Sequence, residues 1–321
     1  MRPVIIAAGG TGGHFFPAEA LAAELLRRGR RIVLMTDARS GAIASPVFEG
    51  CERFVLAGAG IAGRGLSRAA RAVLALLRGA VQARAILARL RPTVLVGFGG
   101  YPSVAPVLGS RLMRRRPRVL LHEQNAVLGR ANRMLSRRAD LLALSHAETA
   151  RVPETARTVL TGNPVRPAIV ALGGAGYEPP TGQIRLLVLG GSLGARVFSD
   201  VVPPALALLS VPLRARLTVV QQCRAEDLER VRIGYEAAGI SAELATFFPD
   251  VAALLGASHL VIARAGASTV AELAVAGRPS VLVPLPGAID DHQSANARAL
   301  GDGAWVIKQP EFTPEALAVL L

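Results

Sequence analysis

VIIAAGGTGGH, residues Val4–His14, is a short apolar run, Val4–Ala8, that passes straight into a glycine loop ending in a histidine. It reads as a first strand whose following glycines let backbone amides approach a ligand. The plan recurs at LLVLGGSLGAR, residues Leu186–Arg196. A strand running into a glycine loop, twice in one chain, predicts an α/β protein with two parallel sheets, each carrying an anion-accepting loop at a helix start.

On either side of these stretches, short apolar runs bounded by Gly or Pro alternate with longer Ala/Leu/Arg segments, the signature of βα units. Strands are predicted in the first half at Val4–Ala8, Ile32–Met35, Thr93–Phe98, Val119–His122, Leu141–Ser145 and Thr158–Thr161. The second half repeats this at Ile184–Leu189, Leu217–Gln221, Leu260–Ala263, Ser280–Pro284 and Ala304–Ile307. TGNPVRP (Thr161–Pro167) and a Gly/Pro-rich stretch, Gly173–Gly182, have hinge composition. The expected domains are residues 1–162 and 163–321, two Rossmann-like units facing a central cleft where the chemistry should sit.

A chain of 321 residues suits two domains of roughly 150 residues each. With 51% hydrophobic and 19% charged residues it can bury large cores. The formal charge is +14, yet aromatics are only 4% and no basic run is interleaved with stacking rings, so nucleic acid is not an expected partner. Lys308 is the single lysine; the arginine excess fits a GC-rich coding bias as well as a partner, which would be an anionic membrane surface or phosphate-bearing substrates. Cys51 and Cys223 stand alone, which argues against a disulfide framework or zinc site and fits a reducing cytoplasm. The N-terminus is too short in its apolar run for a signal peptide, and no apolar stretch of about twenty residues is present.

Several strand ends carry chemistry. GGTGGH (Gly9–His14) can hold anionic oxygens ahead of the helix that follows Pro17, and His14 can take a proton near neutral pH. A nicotinamide cofactor is the alternative, but the only acidic residue ending a second strand is Asp37. GFGGYPS (Gly97–Ser103) is a tight turn or a phosphate loop. HEQN (His122–Asn125) clusters four polar side chains at a strand end, which would be costly if buried unpaired, so ligand contact is expected. In the second half Ser192 can offer hydroxyl and amide to a diphosphate. ARAGASTVAELAVAG (Ala263–Gly277) turns into a helix capped by Ser268 or Thr269, whose dipole suits a diphosphate, and Glu272 can accept from a ribose diol. Gln293 and Asn296 share a helical face suited to sugar hydroxyls. Asp290, Asp291 and His292 are adjacent, point apart on a helix, and are a poor metal set.

Taken in order, GGTGGH, GFGGYPS, HEQN, TGNPVR, GGSLGAR, RAGAST–AE and DDHQ–NA resemble the bacterial MurG glycosyltransferase family, from residue 4 to about 310. The resemblance implies a GT-B fold and an inverting transfer of N-acetylglucosamine from UDP-N-acetylglucosamine to lipid I, the undecaprenyl-diphosphate-linked muramyl pentapeptide, giving lipid II. It implies no metal and no cofactor, and a peripheral enzyme on the cytoplasmic face of the bacterial plasma membrane. The donor would be held mainly by the C-terminal domain. By motif, Phe248 would meet uracil through its backbone, and Ala267, Ser268, Thr269, Val270, Ala271 and Glu272 would wrap diphosphate and ribose. Gln293 would reach the sugar, Ser192 and Arg166 would lie near the diphosphate, and Thr11, Gly12, Gly13 and Asn125 would complete the cleft. Departures are Leu193 where the family has Gln, Ala265 where Ser is common, and Gln221-Gln222-Cys223-Arg224 where a His-Gln-small-Gly string is usual. Relatives continue past the position of Leu321 by a further helical segment, so a truncated C-terminus is expected.

Two hypotheses complete the reading. His14 is the expected general base, with Glu123 the runner-up, while helix N-termini and Arg166 steady the leaving UDP. In Ile61–Arg91, apolar Leu66, Val73, Leu74, Leu77 and Val81 recur at helical spacing among Arg64, Arg68, Arg71, Arg78 and Arg84, as for a helix resting on an anionic bilayer, with Arg111–Arg116 extending the patch. A core helix with a solvated basic face is the competing reading. A non-catalytic nucleotide-sugar binder and a sugar-nucleotide epimerase are the other function classes.

Overall fold

The computed structural model describes residues 1–10, 12–38, 45–57, 66–191 and 194–321, with only the backbone described for residues 66–69. Two compact units divide at Pro167/Ala168.

The first unit, Met1–Pro167, is built on seven strands: β1 (Val4–Ala7), β2 (Ile32–Thr36), β3 (Glu52–Val55), β4 (Val94–Gly97), β5 (Arg118–Glu123), β6 (Leu141–Leu144) and β7 (Thr158–Leu160). Their order is β3-β2-β1-β4-β5-β6-β7, every pairing parallel. The second unit has six: β8 (Ile184–Leu189), β9 (Leu217–Gln222), β10 (Ser241–Ala245), β11 (Leu260–Ala263), β12 (Ser280–Leu282) and β13 (Ala304–Val306). These run β10-β9-β8-β11-β12-β13, again all parallel. In each unit the chain moves outward from the first strand on one side and then returns to lay the next strand on its other side. That reversal opens a crevice beyond the carboxyl ends of β1 and β4, and of β8 and β11.

The strands predicted from sequence are all present, and β3 and β10 are additions. Both are edge strands, ERFV and SAELA, with mixed polar composition and exposed faces. Their order comes from pairing with β2 and β9, a tertiary cause that no local pattern reports.

Helices cover both faces of the first sheet. Ile6, Leu34, Val96, Phe98, Phe15 and Phe48 form one core; Ile5, Val33, Leu95, Val119, Leu121 and Leu87 form the other. Helix α1 (Gly12–Arg27) begins at Gly12, one turn earlier than expected, so Pro17 lies inside it. The proline takes away one main-chain donor without ending the helix, and the loop glycines become the first turn. Helix α2 (Leu66–Leu90) lies tightly on α3 (Val104–Arg111), because a Cβ at Gly79 would stand 3.1 Å from the Ala105 Cβ and one at Gly109 2.5 Å from the Ala80 carbonyl. Among the described residues no helix is long and apolar enough to cross a membrane.

Candidate functional site

In the first unit the glycine loop and the GFGGYPS turn leave β1 and β4 side by side. Gly10, at φ +83°, donates from its amide to Asp37 Oδ1 at 3.3 Å, and the Tyr101 hydroxyl donates to Asp37 Oδ2. Asp37 is 3% exposed and fastens the two loops together, so it does not stand as a ribose acceptor and the nicotinamide alternative loses its acidic residue. Gly12 opens α1 beneath the Phe16 ring, where a Cβ would come within 2.8 Å. Gly13 and His14 follow in the same first turn, and Thr11 lies outside the described residues.

The half-buried His14 ring rests against Gly99 and Gly100. A Cβ on Gly100 would lie 3.2 Å from Cδ2 and 3.4 Å from Nε2. Gly100 sits at φ 62°, ψ 175°, a conformation essentially reserved for glycine, so this residue shapes the turn and keeps the ring edge clear. Ser103 closes the turn by donating to the carbonyls of Ala7 (3.1 Å) and Gly99 (2.8 Å).

HEQN, at the end of β5, is bonded largely within the protein. His122, Glu123 and Gln124 are 4%, 1% and 0% exposed, and their polar atoms are satisfied inside the protein rather than held for a ligand. Glu123 Oε1 accepts from the Asn125 amide (3.1 Å) and Asn125 Nδ2 (3.0 Å); Oε2 accepts from the Gly129 amide (2.9 Å) and Asn132 Nδ2 (2.9 Å). A carboxylate holding four donors anchors the loop from Asn125 to α4 (Arg130–Ser136), and its lone pairs are spent. The base role therefore does not fit Glu123. Gln124 joins His122 to His14: its Oε1 is 3.0 Å from His14 Nδ1, and its Nε2 is 3.1 Å from His122 Nδ1. Burial pushes the His122 pKa below its ordinary value, and likewise that of His146, whose ring is bonded to the Gln124 main chain. Asn125 is half-buried beside this cluster. The Arg166 guanidinium lies 5.0 Å over the Phe16 ring, bringing TGNPVRP to α1 and the glycine loop.

In the second unit GGSLGAR and ARAGAST leave β8 and β11 at the equivalent crevice. Gly190 admits no side chain, since a Cβ would stand 2.3 Å from the Ala195 amide nitrogen. Its own amide donates to Gln222 Oε1 at 3.2 Å, and Gln222 Nε2 donates to the Thr246 carbonyl at 3.2 Å. Ser192 and Leu193 lie outside the described residues. The helix Ala267–Ala276 is capped by Gly266, not by Ser268 or Thr269, which lie in its first turn. With no side-chain cap and no acidic residue there, that turn presents a positive dipole end, and among the described residues the buried Ser268 hydroxyl has no hydrogen-bond partner. Val270 is buried, while Thr269, Ala271 and Glu272 are half-buried along the same helix. Phe248 is 7% exposed and its neighbour Phe247 70%.

Gln293 and Asn296 part company. Gln293 is half-buried and its Oε1 accepts from the Leu285 amide at 2.9 Å, which orients its amide. Asn296 is fully buried and donates to the Ala265 carbonyl at 3.2 Å, a strut rather than a sugar contact. Sequence reasoning also missed Arg264, which donates to the carbonyls of Val283 (3.1 Å) and Pro284 (3.2 Å) and holds the loop after β12. Its only signal was an arginine directly after an apolar strand.

Two Rossmann-like units with glycine loops at their switch points, and in the second a helix start without a side-chain cap, define the GT-B class of sugar-nucleotide proteins. The glycosyltransferase family 28 N-terminal domain matches residues 4–143 and the family 28 C-terminal domain residues 185–321. A UDP-N-acetylglucosamine--N-acetylmuramyl-(pentapeptide) pyrophosphoryl-undecaprenol N-acetylglucosamine transferase of Granulibacter bethesdensis is 67% identical over 321 residues, 99% of this chain and 84% of that one. The same-named protein of Gluconobacter oxydans is 59% identical over 324 residues, covering 100% and 89%. The crystal structure of Acinetobacter baumannii MurG superposes with a TM-score of 0.77 at 32% identity, covering 99% of this chain and 88% of that one. The chain belongs to the MurG family of glycosyltransferase family 28.

Proposed function

We propose that this protein transfers N-acetylglucosamine from UDP-N-acetylglucosamine to lipid I, releasing UDP and forming lipid II with inversion at the anomeric carbon. Family membership supports the substrates. One observation carries the chemistry: an imidazole stands at the switch point of the first unit, while the second unit offers a helix N-terminus without a side-chain cap and a buried hydroxyl with no partner among the described residues. A single displacement needs those two things, a base for the acceptor hydroxyl and a fixed positive dipole for the diphosphate that leaves.

In this reading His14 takes the proton of the attacking hydroxyl as the oxygen bonds to the anomeric carbon. The bond to UDP breaks, and the new charge is met by the first turn of Ala267–Ala276, by Ser268 and by Arg166. Glu272 accepts from the ribose diol, the Phe248 backbone meets uracil, and Gln293 reaches the sugar. Gly12, Gly13 and Asn125 line the acceptor side. Residues 1–162 act as the acceptor domain and 163–321 as the donor domain.

The lipid acceptor places the reaction at a membrane surface, and α2 fits one. Val73, Leu74, Leu77 and Val81 are 48%, 48%, 57% and 60% exposed in one stripe, beside exposed Arg71 and Arg78 and near Leu112, which is 57% exposed. A core helix would have buried that stripe; here α2 buries Ala72, Ala80, Ala83 and Leu87 instead. Exposed apolar side chains rimmed by arginine suit the interface of an anionic bilayer. Leu66, Arg64 and Arg68 fall among residues whose side chains are not described.

The test is UDP release from UDP-N-acetylglucosamine with and without a lipid I analogue, in EDTA. Acceptor-dependent release is expected; an isomeric UDP-sugar formed without acceptor would make the protein an epimerase. His14→Ala should lower kcat by about 10²–10⁴-fold with little change in donor KM. Near-normal kcat with an unaltered pH profile would remove His14 from the mechanism.

A further inference from the structure

We propose that Gln124 and His122 are positioning residues that hold His14 as its Nδ1–H tautomer, so that Nε2 carries the lone pair that receives the acceptor's proton. The inference rests on the reading of His14 as base, and its structural half stands without it. The relay is pinned at main-chain carbonyls, which can only accept. One end of the Gln124 amide lies 3.1 Å from the His122 carbonyl, so that end is the NH2 group. The same group is 3.1 Å from His122 Nδ1, which must accept. His122 then carries its proton on Nε2, 3.0 Å from the Gly162 carbonyl, to which it donates. The other end of the amide is oxygen, which only accepts, and it faces His14 Nδ1 at 3.0 Å. Nδ1 must donate, and Nε2, the ring atom on the Gly100 side, is left without a proton in the neutral form.

Each bond in the relay has one permitted direction, and no bond needs to reverse when His14 is protonated, because imidazolium still donates from Nδ1. Gln124 is 0% and His122 4% exposed, so water does not substitute for either. Burial keeps His122 neutral, as the relay requires. The other titratable groups packed nearby are spoken for: Glu123 holds Asn125, Gly129 and Asn132, and His146 bonds the Gln124 main chain. A histidine side chain in water favours the opposite tautomer, with its proton on Nε2. The relay reverses that preference at the one ring where a base must present Nε2.

The experiment is imidazole 15N NMR on the full chain at alkaline pH, with His14 assigned by His14→Gln. The expected spectrum has a protonated Nδ1 and a bare Nε2 on His14, and the reverse on His122. A His14 proton on Nε2, or fast averaging between tautomers, overturns the inference. Gln124→Leu should average the His14 signals and lower kcat on the order of 10- to 100-fold, with donor KM nearly unchanged. His122→Asn, which keeps an acceptor at the Nδ1 position, should retain the wild-type His14 signals, and His122→Leu should not. Gln124→Glu still accepts from Nδ1 and adds charge, so the acidic limb of the kcat/KM profile should move to higher pH; a limb that stays put argues for a purely structural Gln124. If the tautomer is as stated but His14→Ala keeps full kcat, the base reading fails while the relay stands. Should Gln124→Leu not fold, the wild-type spectrum still decides.

Discussion

Glu123→Gln separates an anchor from a base. In the wild type four donors converge on two oxygens in a site that is 1% exposed. The amide keeps one oxygen, which can serve one pair of donors, and turns an NH2 group toward the other pair. Two buried donors then lose their acceptor, at about 1–3 kcal/mol each, for a total of about 2–6 kcal/mol. The loss is local to the loop Asn125–Gly129, so amide hydrogen exchange at Asn125 and Gly129 is the direct assay. Even 2 kcal/mol corresponds to about 30-fold faster exchange through local opening. Urea unfolding of the first unit, followed by far-UV circular dichroism, should show the same destabilisation. The anchor account is refuted if Glu123→Gln keeps wild-type exchange and unfolding while kcat collapses, since that pattern belongs to a group whose charge acts on substrate.

Three further outcomes are expected. Gly190→Ala forces a methyl toward the Ala195 amide at 2.3 Å, so the loop must shift; UDP binding measured calorimetrically should weaken at least about tenfold, on the scale of 1–3 kcal/mol for overpacking. Leu77→Asp with Val81→Asp replaces two exposed apolar side chains, so folding should be untouched while binding to anionic vesicles in a sedimentation assay falls more than about tenfold. Asp140, held at about 2 from its ordinary 3.8 chiefly by the Arg116 guanidinium, also accepts from the Val119 amide at 2.7 Å. A depressed carboxylate stabilises the fold above its unfolded pKa and loses that contribution as pH falls from about 4 toward 2, so Asp140→Asn should flatten the acid-unfolding curve in that window.

Much of the fold was legible because its signals are local. Strand followed by glycine loop is written in adjacent residues at Val4–Gly10 and Ile184–Gly191, and parallel strands buried on both faces read as apolar runs. Edge strands β3 and β10 escaped because ERFV and SAELA owe their order to a neighbour, not to their own pattern. Helix starts were misplaced for a related reason. Pro17 and Ser268 carry start signals, but the backbone enters helical geometry earlier, at Gly12 and at Ala267.

For the candidate site, local patterns were enough to tell which residue types gather at the strand ends: glycines for close approach, His14 for a proton, a small-residue turn ahead of Glu272. It did not assign jobs within HEQN, because whether a buried polar group meets a ligand or another side chain depends on what folds against it. Two of the four donors that occupy Glu123 come from Gly129 and Asn132, six and nine residues onward. The partner that orients His14 lies 110 residues away in Gln124, and the carbonyl that pins His122 lies 40 residues further along the chain at Gly162. Asn296, a sugar contact by pattern, became a strut because Ala265 lies 31 residues away in sequence and within hydrogen-bond reach in space. Hydrogen-bond direction is a property of pairs, and pairs this distant in sequence are made only by the folded chain.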